Sequence, residues 1–261
     1  MAGKNKNEGT DMRIFAFALS IALTVASGAR AAEIHVLMPP IIANAGFKEL
    51  GAAYSKDTGT VITNKVAEMG KLTDDLKASA PMPDLVFMPS GQMDALDKAG
   101  GIRPGSRANL GRVEIGLGVR PGAPHPDIST VAKLVAVLNG AKSVVYSNPA
   151  GGSMQARIID NLLKRPEFSR VHKMISSKGN GASALARGDA EMALQLEGEL
   201  IGRPGVELVG PLPAELHAGI DTEVAVPAAA PDPDQGLALL HYLTRPEADA
   251  VWKSHGLERV Q

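Results

Sequence analysis

The chain contains no cysteine. No disulfide can staple it, and no thiolate can act as nucleophile or metal ligand, so its stability must come from an apolar core. Aromatic residues are scarce, with five Phe, three Tyr and one Trp. Sugar clefts and single-strand binders rely on stacked rings, so both ligand classes are disfavoured. Charge of neither sign is in excess, 27 Lys and Arg standing against 28 Asp and Glu. A nucleic-acid binder normally shows a basic face, and a polybasic membrane patch needs a block of like charge. The six histidines, at 35, 125, 172, 217, 241 and 255, lack HxxH or HxxxH spacing. Without cysteine beside them they offer no metal set. There is no G-x-S-x-G elbow, P-loop or dinucleotide fingerprint. No cofactor is expected, and no metal.

What is present begins at the N-terminus. Lys4, Lys6 and Arg13 precede an apolar run, IFAFALSIALTVASG, at 14–28, and Ala29-Arg30-Ala31 follows as a small-x-small site. This is the pattern of a cleavable secretory signal over residues 1–31. The run falls short of the ~20 apolar residues that a membrane span needs. Met12 is an alternative start, because the residues before it are polar. The mature chain is expected to begin near Ala32 and to be free in the periplasm. No cysteine follows the apolar run to carry a lipid.

Beyond Ala32 strands and helices alternate. EIHVLMP reads as a strand. Phe47, Leu50, Gly51 and Tyr54 share one helical face, closed by Gly59. TVITNKVA and the fully apolar PDLVFMP are further strands, with the short helix GKLTDDLKASA between them. SVVYS, KMIS, EMALQL and GVELVGPLP continue the series, and two helices split at Pro246 end it. Such alternation builds βαβ units and mostly parallel sheets. Two alternating stretches break the rhythm, GRVEIGLGVRPG at 111–122 and TEVAVPAAA at 222–230. They read as crossovers between two α/β lobes. The expected class is therefore α/β, two-lobed, each lobe a mostly parallel sheet flanked by helices. Residues 32–116 and 224–261 would form lobe one, and 117–223 lobe two. A ligand would lie between them at the carboxyl ends of the strands, captured by hinge closure.

One turn stands out. Asn148-Pro149-Ala150-Gly151-Gly152-Ser153 links the strand VVY to an amphipathic helix. Ser153 is a natural cap, and the helix start leaves N–H groups without acceptors at the positive end of the dipole. An anion can be held there.

Several segments taken in order carry a resemblance: GKLTDDLKASAPMPDLVFMPSGQMDAL, VVYSNPAGGS, GDAEMALQLEGEL, GVELVGPLPAEL and LTRPEADAVWKSHGLE. Over nearly the whole mature chain the sequence resembles type II periplasmic substrate-binding proteins of ABC importers, in the molybdate-binding-protein-like branch. The resemblance implies a two-lobe fold, capture of a small anion, and delivery to a membrane permease by what is expected to be a monomer. It also implies ligand contacts from loops after strands, through Ser hydroxyls and backbone amides.

The contact positions differ in kind from that pattern. After the first strand the family's Ser is replaced by Met38-Pro39-Pro40. After the second, Gly-Ser-Ser-Gly becomes Ala67-Glu68-Met69-Gly70, with Lys71 following. The family's Tyr falls at or near Glu197. Gly151, Gly152 and Ser153 keep an anion cradle. The candidate ligand residues are thus Met38, Pro39, Glu68, Met69, Gly70, Lys71, Ser90, Gly151, Gly152, Ser153, Gln195 and Glu197. Ser90 is expected to cap a helix over 91–98. Glu68, Lys71, Gln195 and Glu197 suit a solute with both an acidic and a donor end better than molybdate. The expected function is a periplasmic solute receptor for a molybdate-like oxyanion or a small polar organic solute, and not an enzyme. The alternatives are an enzyme on the same scaffold, with Glu68 and Lys71 as an acid–base pair, and a receptor that serves a sensor.

Overall fold

A computed structural model of the chain describes Gly3, residues 32–151 and residues 153–259. The expected leader, Gly3 apart, lies outside the described residues. No helix among the described residues is long and apolar enough to cross a membrane.

The elements run in the order β1 (Glu33–Met38), α1 (Pro40–Ala43), α2 (Phe47–Thr58), β2 (Val61–Val66), α3 (Leu72–Lys77), β3 (Leu85–Pro89), α4 (Ser90–Lys98) and β4 (Ala108–Val119). Then come α5 (Val131–Gly140), β5 (Val144–Tyr146), α6 (Met154–Leu163), β6 (Lys173–Ile175), α7 (Gly181–Arg187), β7 (Met192–Leu196) and α8 (Glu197–Leu200). The chain closes with β8 (Glu207–Pro211), β9 (Gly219–Ala225), α9 (Pro233–Thr244), α10 (Asp249–Ser254) and β10 (Leu257–Glu258).

Local sequence accounts for these elements. In α2, Phe47, Leu50, Gly51 and Tyr54 are buried, and Gly59 ends the helix in the left-handed region with φ 73°. The β3 run LVFMP is buried along its whole length because β1 and β9 flank it and helices cover it. Asp84, just before β3 and 1% exposed, accepts from the N–H of His35 (2.9 Å) and of Asp232 (2.8 Å). Burying a carboxylate without such donors would be costly. Trp252 in α10 is fully buried and donates its indole N–H to the Leu243 carbonyl at 2.9 Å, tying α10 to α9.

The strands form the order β2-β1-β3-β9-β4-β7-β5-β6, with β8 and β10 also on β4. Two parallel triplets, β2-β1-β3 and β7-β5-β6, are the cores of the two lobes. Both are completed by antiparallel strands. The twelve-residue β4 serves both lobes. Its first half, Ala108–Glu114, pairs with β9, and its second half, Ile115–Val119, with β7. At the junction Arg112 bridges Glu114 and Asp221, each at 2.7 Å. The fold is thus the two-lobed α/β class expected from the alternation.

Two local readings are corrected. The second crossover begins not at Thr222 but at Gly219, since β9 already pairs with Glu114 of β4 there. Ser90 is not the cap of α4 but its first residue; Pro89, in extended conformation, holds the capping position and makes no side-chain bond.

Candidate functional site

In an open α/β sheet the carboxyl ends of the strands are where loops can converge. Parallel strands β5 and β7 pair Val144 with Met192 and Val145 with Ala193. Continuing that register sets Ser147 beside Gln195. The Ser147 hydroxyl donates to Gln195 Oε1 at 3.1 Å and accepts from the Gly181 N–H at 3.4 Å. With its oxygen engaged, the Gln195 amide turns its Nε2 toward Glu199, one helical turn further on, and donates to Oε2. Asn180 is placed by the same logic. Its Oδ1 accepts from Ser183 N (2.9 Å) and Ser183 Oγ (2.8 Å), and its side chain bonds Glu199. Arg203 donates to Ser183 Oγ and to the Glu199 carbonyl, each at 3.1 Å.

Glu199 therefore ends two converging chains of donors. Burial pushes its carboxyl pKa up. The bonds from Gln195 and Asn180 and the charge of Arg203 pull it back, and the charge of Glu68 adds to the rise.

Glu199 looks into a cavity of about 340 Å³. The first lobe contributes Pro40, Ile41, Glu68 and Met69 to its wall. The second contributes Ser147, Asn180, Glu199 and the start of α6. Ser153 caps α6, its Oγ accepting from Ala156 N at 3.3 Å, and Met154 and Gln155 supply two of the amides that a helix start leaves without an intrahelical acceptor. Glu68 and Glu199 are the only charged side chains among the described residues that line the cavity.

The candidate positions divide accordingly. Glu68, Met69, Gly151 and Ser153 line the cavity. Gln195 stands one layer behind it, wholly buried. Met38 and Pro39 do not reach it. Both are buried at the end of β1, and the two residues after them form the wall instead. Gly70 and Lys71 are exposed outside it, because the turn Met69–Lys71 carries the chain away toward α3. Ser90 lies on a neighbouring hollow with Met154 and Asp221. Gly152 lies outside the described residues.

Glu197 is directed elsewhere. It packs on Gly116 of β4 and on the turn at Gly256, facing Glu114 and Glu258. Burial, then the charges of those two residues, push its carboxyl up to about 7. Sequence reasoning missed Ser147, Asn180 and Glu199. The available signal was that Asn180 opens a helix with Ser183 three places on, as Ser153 does for α6.

The family model described as "Bacterial extracellular solute-binding protein" matches residues 35–258. An aconitate isomerase from Pseudomonas sp. is 32% identical over 219 residues, covering 82% of this chain and 83% of that protein. Among solved structures, the substrate-binding domain of a proposed molybdenum ABC transporter from Clostridium difficile superposes with TM-score 0.73 at 15% identity, covering 88% of this chain and all of that one. The periplasmic molybdate-binding protein of Azotobacter vinelandii gives TM-score 0.67 at 17% identity, over 87% of this chain and all of the other.

Proposed function

We propose that this chain, which belongs to the family of bacterial extracellular solute-binding proteins, captures a small carboxylate-bearing organic solute between its lobes. One observation carries the reading. The cavity offers neutral donors at the start of α6, but its charged side chains are the two acids Glu68 and Glu199, on opposite walls. A bare dianion of the molybdate type would meet both carboxylates. Like charges ~4 Å apart repel by about 4 kcal/mol at an effective dielectric near 20. An organic acid can separate its ends, with an anionic oxygen at the α6 amides and a hydroxyl or carboxyl hydrogen at Glu199.

The reading includes release into the periplasm, action as a monomer, and transfer of the solute to the permease of an ABC importer. Residues 32–116 and 224–261 would act as one jaw and 117–223 as the other. The test is a calorimetric panel of citrate, malate, cis- and trans-aconitate, molybdate, tungstate and sulfate. A bound solute raises the melting temperature by mass action. We expect a response from one or more of the organic acids and none from the three oxyanions. Saturable binding of molybdate alone overturns the reading.

A second reading is an isomerase of an unsaturated polycarboxylate. The aconitate isomerase relative favours it, together with the raised carboxyl of Glu199 on the cavity wall. Shifting a double bond requires a group that takes a proton from carbon and returns it, and a carboxyl tuned upward is suited to that. Incubation with cis-aconitate and chromatographic analysis for the trans isomer separates the two. Turnover lost in Glu199→Gln, with binding kept, establishes the enzyme.

A further inference from the structure

We propose that the cleft takes up its carboxylate solute together with one proton, held between a solute carboxylate and Glu199. This rests on the carboxylate reading above and adds the protonation state in which that solute is bound.

The hydrogen bonds around Glu199 all run toward it. One chain runs from the Gly181 N–H to Ser147, to Gln195, to Glu199. The other runs from Arg203 to Ser183, to Asn180, to Glu199. Each fixed amide presents its NH2 to the carboxyl, so protein donors occupy acceptor sites on Glu199. What remains to face the cavity is an oxygen with a free lone pair or, when protonated, an O–H. Four groups among the described residues reach Glu199 by hydrogen bond or charge. Gln195 at the end of β7 and Asn180 before α7 are neutral. Arg203, beyond α8, already engages the Glu199 carbonyl and Ser183. Glu68, on the facing wall, is itself an acid.

No Lys or Arg is among the described residues lining the cavity. A solute carboxylate entering it therefore meets Glu199 with no cation to separate them. Two carboxylates in hydrogen-bonding contact do not both stay ionised; they share a proton, as acid pairs in enclosed sites do. The hydrogen then bridges solute oxygen and Glu199 oxygen, and one negative charge is left on the pair. Selectivity follows. A carboxylate is basic enough to share the proton, whereas sulfate, a far weaker base, is not.

Isothermal titration with citrate and with trans-aconitate tests this, each run in phosphate and in Tris across about pH 6 to 9, since the two buffers differ in ionisation enthalpy. The wild-type protein is expected to take up a proton on binding, rising to about one per solute on the alkaline side. Glu199→Gln places a permanent N–H donor at the same spot, so it should bind with no uptake and with affinity flat in pH. Glu68→Gln should keep the uptake. Binding whose enthalpy is the same in both buffers overturns the proposal and leaves the carboxylate reading intact. Uptake abolished by Glu68→Gln, or retained in Glu199→Gln, also overturns it. If neither acid binds the wild-type protein, this proposal falls, and the rest of the panel decides the carboxylate reading.

Discussion

Ser147 and Gln195 stand at the ends of two neighbouring parallel strands, and the hydroxyl of the first donates to Oε1 of the second at 3.1 Å. They are 6% and 0% exposed, so solvent competes little for the contact. A buried amide can face either way; the Glu199 carboxylate, which can only accept when ionised, takes Nε2, and Ser147, its oxygen occupied by the Gly181 N–H, gives its hydrogen to Oε1. A strand-end serine thereby braces the amide that serves a carboxyl it does not touch.

Ser147→Ala removes that support. The Gly181 N–H and Gln195 Oε1 each lose their partner in a buried place. Leaving such groups unsatisfied costs about 1–3 kcal/mol. The expected result is a lower urea midpoint with an unchanged slope. Citrate affinity should fall about tenfold, the equivalent of about 1.4 kcal/mol. An unchanged midpoint would mean that the amide is not held by the serine.

Gly181→Ala tests the same network from its other side. A Cβ there would sit 2.9 Å from Tyr146 Cα, 3.0 Å from Gln195 Oε1 and 3.2 Å from the Val145 carbonyl. Strand backbone cannot move aside as a flexible side-chain tip can. Alanine is otherwise the better helix former by up to about 1 kcal/mol. Overpacking costs about 1–3 kcal/mol and should win. Denaturation and citrate titration should both worsen; a variant more stable than wild type would show that α7 can shift outward.

The alternation of strands and helices was legible because apolar runs such as LVFMP and periodic faces such as that of α2 have few other uses. The walls of the cleft were less so. Ser147 and Asn180 look like ordinary turn and cap residues, and what distinguishes them is a partner 48 or 19 positions away. Glu197 and Glu199 show the limit most clearly. They differ by two places on one short helix, so they point to nearly opposite sides. The sequence cannot say which of the two faces the cavity until the strand's last residue is fixed at Leu196. Met38 and Pro39 stop just short of the wall, which the next two residues, Pro40 and Ile41, form.

Ser153 separates a cap from a ligand contact. Ser153→Ala should cost about 1 kcal/mol in stability through the lost bond to the Ala156 N–H. Ser153→Asp should keep the cap and improve the charge at the helix start. It also adds a carboxylate to a cavity that already holds two. We expect near-native melting for the aspartate variant, with citrate affinity reduced at least about tenfold, or about 1.4 kcal/mol. Native affinity in Ser153→Asp would show that the solute's anionic end lies elsewhere.

Glu197 makes a prediction about stability rather than binding. Its carboxyl, ordinarily near 4.5, is pushed up to about 7, first by burial and then by the charges of Glu258 and Glu114. Between those values the folded protein binds more protons than the unfolded chain. Stability must therefore fall as pH rises through this window. The benefit of the neutral acid is fully present below about pH 4.5 and is lost as pH passes 7. Glu197→Gln keeps the shape and removes the titration. Unfolding by urea at a series of pH values, wild type against variant, should give a difference that turns steadily against wild type from acid to neutral pH. It should level off on the alkaline side. Taking the difference cancels the other titrating groups, which both proteins share. A difference flat in pH would mean that water reaches the Glu197 carboxyl between β4 and the Gly256 turn, and that the junction of the two lobes is looser there than the packing on Gly116 implies.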